Sequence, residues 1–102
     1  MVKIKDNFID KQKHEKILKT MCSSEFPWYY NNYKVRPGDN NFQMTHTLYR
    51  NHAITSPFFQ LINPVLDKLK AKALVGIKCN LTFVTPKKII YGMHTDFDAK
   101  CK

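Results

Sequence analysis

The stretch "LVGIKCNLTFV", residues 74–84, constrains the fold more than any other part of the chain. Val75, Ile77, Cys79, Leu81 and Phe83 alternate with Gly76, Lys78, Asn80 and Thr82, the period-two pattern of a strand with one apolar and one polar face. The apolar side is expected to pack on helices, and two candidates precede it. Asp10 stands where an N-cap would, ahead of His14, Ile17, Leu18 and Met21 at helical spacing, which predicts a helix to about Met21. Ser56-Pro57 reads as a second helix start, with Phe58, Leu61 and Ile62 on one side. Pro64 leaves two alternatives: one kinked helix from 57 to about 71, or a short turn ending near Ile62 followed by a helix that starts at Asn63-Pro64.

The remaining segments read less sharply. "VKIKDNF" is a short first strand or an extended lead-in. "SSEFPWYYNNYKVRPGDNN" combines proline, glycine and asparagine with aromatics, so it reads as a long connection anchored by Phe26, Trp28 and Tyr29. After a turn at "TPKK", "IIYGMHTD" has the β-branched and aromatic content of another strand. At 102 residues the chain is one domain or less.

Charge raises the question of an anionic partner. Seventeen Lys and Arg against eight Asp and Glu leave a formal charge of +9. Fifteen of the seventeen are lysines and two are arginines, Arg36 and Arg50, whereas surfaces that read bases draw on arginine forks. The lysines are spread out, with no run longer than Lys87-Lys88, so a solvated surface leads over a nucleic-acid patch. Cys22, Cys79 and Cys101 form no C-x-x-C pair and leave an odd thiol, which suits a reducing compartment. With no apolar run near membrane-spanning length and no signal-peptide core, the expectation is a cytoplasmic protein without membrane contact.

One candidate site lies in "YGMHTDFD", residues 91–98. In a strand, positions i and i+2 share a face, so His94 and Asp96 can offer an imidazole and a carboxylate to one ion. Two histidines and one carboxylate on one face of Fe(II) leave positions open for a co-substrate and oxygen, and the pair supplies two of those three ligands. The bland alternative is a strand end with a polar turn. Asp98 is another carboxylate on the same face if the strand continues, and otherwise belongs to the loop after the site.

Four segments taken in order change that balance: "FPWYYN" (26–31), "DNNFQMTHTLY" (39–49), "SPFFQLINPVLDKLKAKALVGIKCNLT" (56–82) and "HTDFD" (94–98). In order and approximate spacing they resemble the non-haem Fe(II)- and 2-oxoglutarate-dependent oxygenases, in particular the small ones often encoded by tailed bacteriophages. The resemblance implies an α+β fold, with helices preceding the first strands of a double-stranded β-helix, or jelly roll. It implies a hydroxylase-type dioxygenase with Fe(II) on His94 and Asp96 and with 2-oxoglutarate as co-substrate. A protein side chain, a nucleobase and a small metabolite all stay open as substrate. Lys78, Asn80 and Thr82 would line the pocket, with Asn80 as a hydrogen-bond donor to 2-oxoglutarate. Where the family commonly carries Arg, this chain has Gly76.

The family's third ligand is a later histidine, followed by a basic residue that pairs with the co-substrate. The six residues after Asp96 contain neither histidine nor arginine. Residues 1–102 are therefore expected to form a partial oxygenase domain, inactive without a C-terminal half and with unpaired strand edges. His46 and His52 lie upstream of the pair and are expected at the surface or in packing, and His14 half-buried on the first helix. A rival reading of a different class is a small basic module that binds nucleic acid through its lysines and the aromatics of Trp28 to Tyr33, with the H-x-D pattern incidental.

Overall fold

The computed structural model describes residues 2–34, 37–38, 41–84 and 86. Two helices and an antiparallel sheet of four strands make a small α+β fold. The chain runs α1 (Lys11–Met21), β1 (Tyr29–Asn31), β2 (Gln43–Arg50), β3 (Ala53–Ile54), a 3-10 turn (Phe59–Ile62), α2 (Asn63–Leu69) and β4 (Gly76–Leu81). No helix among the described residues is long and apolar enough to cross a membrane.

α1 starts where the sequence says it should. Asp10 is extended (φ −67°, ψ 158°) and its carboxylate accepts the Lys13 amide at 2.9 Å, satisfying a donor that has no partner inside the helix. The helix buries no residue fully; Ile17 and Met21 are half-buried, whereas Leu18 and His14 face solvent. His14 thus departs from the half-buried place expected of it, because only the Ile17–Met21 side of the stripe is covered. Residues 2–5 form no strand, and Val2 and Ile4 are exposed, so the lead-in alternative holds.

β2 is the strand on which the sheet is built. Thr45 pairs with Tyr29 of β1 and with Asn80 of β4, and Tyr49 pairs with Ile54 of β3 and with Ile77 of β4. β1 and β3 therefore share one edge of β2, and β4 occupies the other. Asn51 (φ 52°) and His52 (φ 63°) close the β2–β3 hairpin with two left-handed residues, as a two-residue primed turn requires. The β2–β4 register slips between Thr47 and Tyr49, leaving Leu48 without a partner on β4. Leu48 is the most buried large side chain. Thr55 secures the bulge: its amide donates to the Leu48 carbonyl at 3.0 Å and its hydroxyl to the Thr47 carbonyl at 2.9 Å.

The second of the two alternatives at Pro64 is the observed one. The 3-10 turn runs directly into α2, whose first turn holds Pro64 where a missing amide costs no hydrogen bond. Phe58 and Phe59 at the start of this segment lie against His46 and Tyr49 of β2, with ring centroids 5.8 and 5.9 Å apart. The β4 residues opposite those two, Cys79 and Ile77, are half-buried, so the apolar side of β4 shares the face that the 3-10 turn covers. Three strands, β1, β2 and β3, lie in segments not read as strands from the sequence. β1 falls inside the expected long connection, and β2 mixes buried Gln43, Thr45, His46 and Leu48 with no alternation to reveal it.

Candidate functional site

The expected iron ligands His94 and Asp96, the neighbouring Asp98 and the strand expected to carry them lie outside the described residues. Among the described residues, no three His, Cys, Asp or Glu side chains come together as a metal site. What the structure brings together is the polar face of β4 and two distinct histidine environments.

Lys78 and Asn80 are exposed on β4, opposite Thr47 and Thr45 of β2. Thr45 is buried and its hydroxyl accepts a hydrogen bond from the Asn31 side-chain amide at 2.8 Å. Lys78 and Asn80 line an open groove of about 530 Å³ together with Thr47, Tyr49, Arg50, Asn51, Gly76 and Ile77. Of the three pocket residues expected from the sequence, two therefore share a groove. Thr82 is exposed beyond the end of β4 and is not among its lining residues. Cys79 points the other way, and its partial burial raises the pKa of its thiol by disfavouring the thiolate.

His46 sits at the centre of the buried cluster, only 4% exposed. Its ring lies 4.4 Å from that of Phe26 and meets Tyr29 and Phe58 edge-on. Nδ1 is 2.8 Å from the Pro27 carbonyl, which only accepts, so Nδ1 carries the proton of this bond. Nε2 is 2.6 Å from the Ser56 hydroxyl, which donates to it in the neutral ring while its oxygen accepts the Phe58 amide at 3.1 Å. The order of serine, imidazole and orienting carbonyl resembles a nucleophile with its base. However, Ser56 is 5% exposed and already bonded on both sides, so no substrate reaches it. The cluster ties the 27 and 56 connections to β2, which is a packing role of the kind expected for His46. His52 is exposed in the hairpin turn.

The aromatics near Pro27 divide in two. Phe26 is buried, and Trp28 packs edge-on to it while the indole N–H donates to the Met21 carbonyl at 3.0 Å, which fastens β1 to the end of α1. Tyr29 and Tyr30 are exposed, so Tyr29 is not the anchor the sequence suggested. Tyr30 stacks on Phe42 at 5.8 Å, and Phe42 meets Phe83 at 5.2 Å, forming an exposed row of three rings across the sheet. The sequence reading missed this row because its members come from three separated segments that only strand pairing brings together. Compared with protein-family models, with curated proteins and with solved structures, the chain finds no match.

Proposed function

We propose that the chain is the front portion of an Fe(II)- and 2-oxoglutarate-dependent dioxygenase of the hydroxylase type, built as helices and the first strands of a jelly roll. The observation that carries this reading is the H-x-D pattern at 94–96 following the three upstream segments in the family's order. In support, a helix and an antiparallel sheet precede the pattern, and the polar face of β4 turns Lys78 and Asn80 into an open groove. His94 and Asp96 would hold the iron, which with 2-oxoglutarate supplies the oxidising power for hydroxylation. Asn80 would hydrogen-bond the co-substrate. Two protein ligands hold Fe(II) loosely, so a further histidine and a basic residue are needed for turnover. Titrating the purified chain with Fe(II) should show weak binding that His94→Ala abolishes, with no succinate released from 2-oxoglutarate. Iron binding unchanged by His94→Ala would remove the ligand assignment.

A second reading, a basic module for single-stranded nucleic acid, is favoured by the row of Tyr30, Phe42 and Phe83, 65%, 45% and 51% exposed, on a chain of charge +9. Exposed rings on a sheet can stack successive bases while lysines neutralise phosphates. Of the Trp28 to Tyr33 set, Tyr30 belongs to this row, whereas Trp28 is committed to Met21. Affinity for single-stranded DNA that falls steeply with salt, drops on Phe42→Ala and ignores His94→Ala would establish this reading over the first.

A further inference from the structure

The geometry points to the groove between β4 and the β2–β3 turn as a binding site for a small anion, whose carboxylate or phosphate group seats between Lys78 and Arg50. The register sets the spacing. Lys78 pairs with Thr47, Gly76 pairs with Arg50, and the bulge at Leu48 returns Arg50 to the face that Lys78 occupies. Lys78 and Arg50 are thus diagonal neighbours on adjacent strands, at a Cα separation of roughly 7–8 Å. Gly76, the residue directly across from Arg50, contributes no side chain to fill the space between them.

Two like charges at this spacing repel unless something negative lies between them. Among the described residues, no Asp or Glu lines the groove. The salt bridge found among the described residues joins Lys13 to Asp10, far along the chain, and involves neither cation. Around the pair stand Thr47, Asn51 and Asn80, whose hydroxyl and amide groups can donate to the remaining oxygens of a bound anion. The guanidinium of Arg50 suits bidentate contact with a carboxylate or phosphate, and Lys78 adds a point charge. The groove's volume of about 530 Å³ fits a small molecule. A merely solvated strand face would explain the exposure of Lys78; it would not explain the convergence of both cations and three neutral polar side chains on one concave, acid-free surface. This site needs no metal; it shares its groove with the co-substrate contact proposed for Asn80 and so deepens that reading, while its test is separate from the iron ligands.

The test is a titration of the whole ¹⁵N-labelled chain, without metal, with inorganic phosphate in one series and succinate in another, at constant ionic strength. Saturable amide shifts confined to residues 47–51 and 76–80 are expected in at least one series, and which series saturates tells phosphate from carboxylate. The double variant Arg50→Gln, Lys78→Gln should weaken binding at least tenfold, whereas Lys3→Gln, Lys5→Gln on the exposed lead-in should leave it unchanged. Should the double variant lose the native spectrum, Lys78→Gln alone decides, with at least a threefold loss expected. Shifts that grow linearly in both series, that spread over the lysine surface, or that persist in the folded variant would overturn the assignment. Repeating the titration on His94→Ala separates this result from the fate of the iron reading, since the groove should bind the anion equally well.

Discussion

One face of the sheet carries Phe42, Met44 and His46 in succession, and its two ends are treated in opposite ways. At the His46 end, Phe26, Phe58 and Ser56 close over an imidazole until 4% of it is exposed. At the Phe42 end, a fully apolar ring beside Tyr30 and Phe83 stays 45% exposed. By hydrophobicity alone the burial would be reversed. The difference lies in what crosses over each end: residues 55–62 pass over His46 and supply Ser56 for Nε2, with Pro27 from the other connection accepting from Nδ1, while among the described residues no helix covers the ring row. A buried polar group costs little when every donor and acceptor is matched, and an apolar group gains nothing until a second surface arrives. The closed end is therefore where the fold is held, and the open end is where a binding partner has something to gain.

The sharpest way to break this contrast is to truncate one ring at each end. Phe26→Ala should cost about 3–5 kcal/mol in urea unfolding, since it empties the space between His46, Trp28 and Phe58. Phe42→Ala should cost about 0.5 kcal/mol, in line with a surface substitution. Equal losses at both positions would mean that the open end is covered in solution. Next in size, Ser56→Ala should lose about 1–3 kcal/mol, because His46 Nε2 and the Phe58 amide are both left without their partner. A neutral Ser56→Ala would show that the closed end rests on ring packing alone.

The smallest effect concerns α1, which is tied to the closed end through the Trp28 indole on Met21. The Lys13 amide, with the Lys13 charge assisting, holds the pKa of the exposed Asp10 carboxyl below the ordinary carboxylate value. A group whose pKa is lower folded than unfolded stabilises the folded helix above its unfolded value, about 4 for Asp, and loses that contribution as pH falls through the lowered one. Helix content by circular dichroism should accordingly decline on acidification below about pH 4, and Asp10→Asn should flatten that decline. The near-ultraviolet signal of Trp28 should follow this curve only weakly, since the indole touches α1 through one bond at its last residue, Met21, while its ring packs on Phe26. Parallel loss of both signals would show α1 and the sheet melting as one unit.

Much of the scaffold was legible because local chemistry marks it. Asp10 announces α1 through a cap that forms within four residues, and Asn63-Pro64 announces α2 through a ring that fits only a first turn. β4 shows its two faces through strict alternation, and Lys78 and Asn80 on its polar side do share a groove. β2 escaped notice for the opposite reason. Lying between β1 and β4, it buries glutamine, threonine and histidine, and the threonine and histidine bond to groups distant in sequence. Its hairpin turn is formed by Asn51 and His52 rather than by the Asn-Gly pair that would have flagged it. Arg50 was not placed beside Lys78 for the same reason, as their sharing of a face depends on a bulge that no pattern in β2 signals.

The amino-acid order by itself determined where α1 starts, two alternative starts for the second helix, which side of β4 is polar, and an excess of positive charge, because each depends on residues within one or two turns of each other or on simple composition. Only the tertiary structure decided that His46 would be enclosed and Phe42 left open, that Thr45 would bond Asn31, and that Lys78 and Arg50 would share a face on adjacent strands. Those outcomes depend on strand register and on which connection crosses which face. Both are settled by the free energy of matching distant groups, a quantity that no single segment carries.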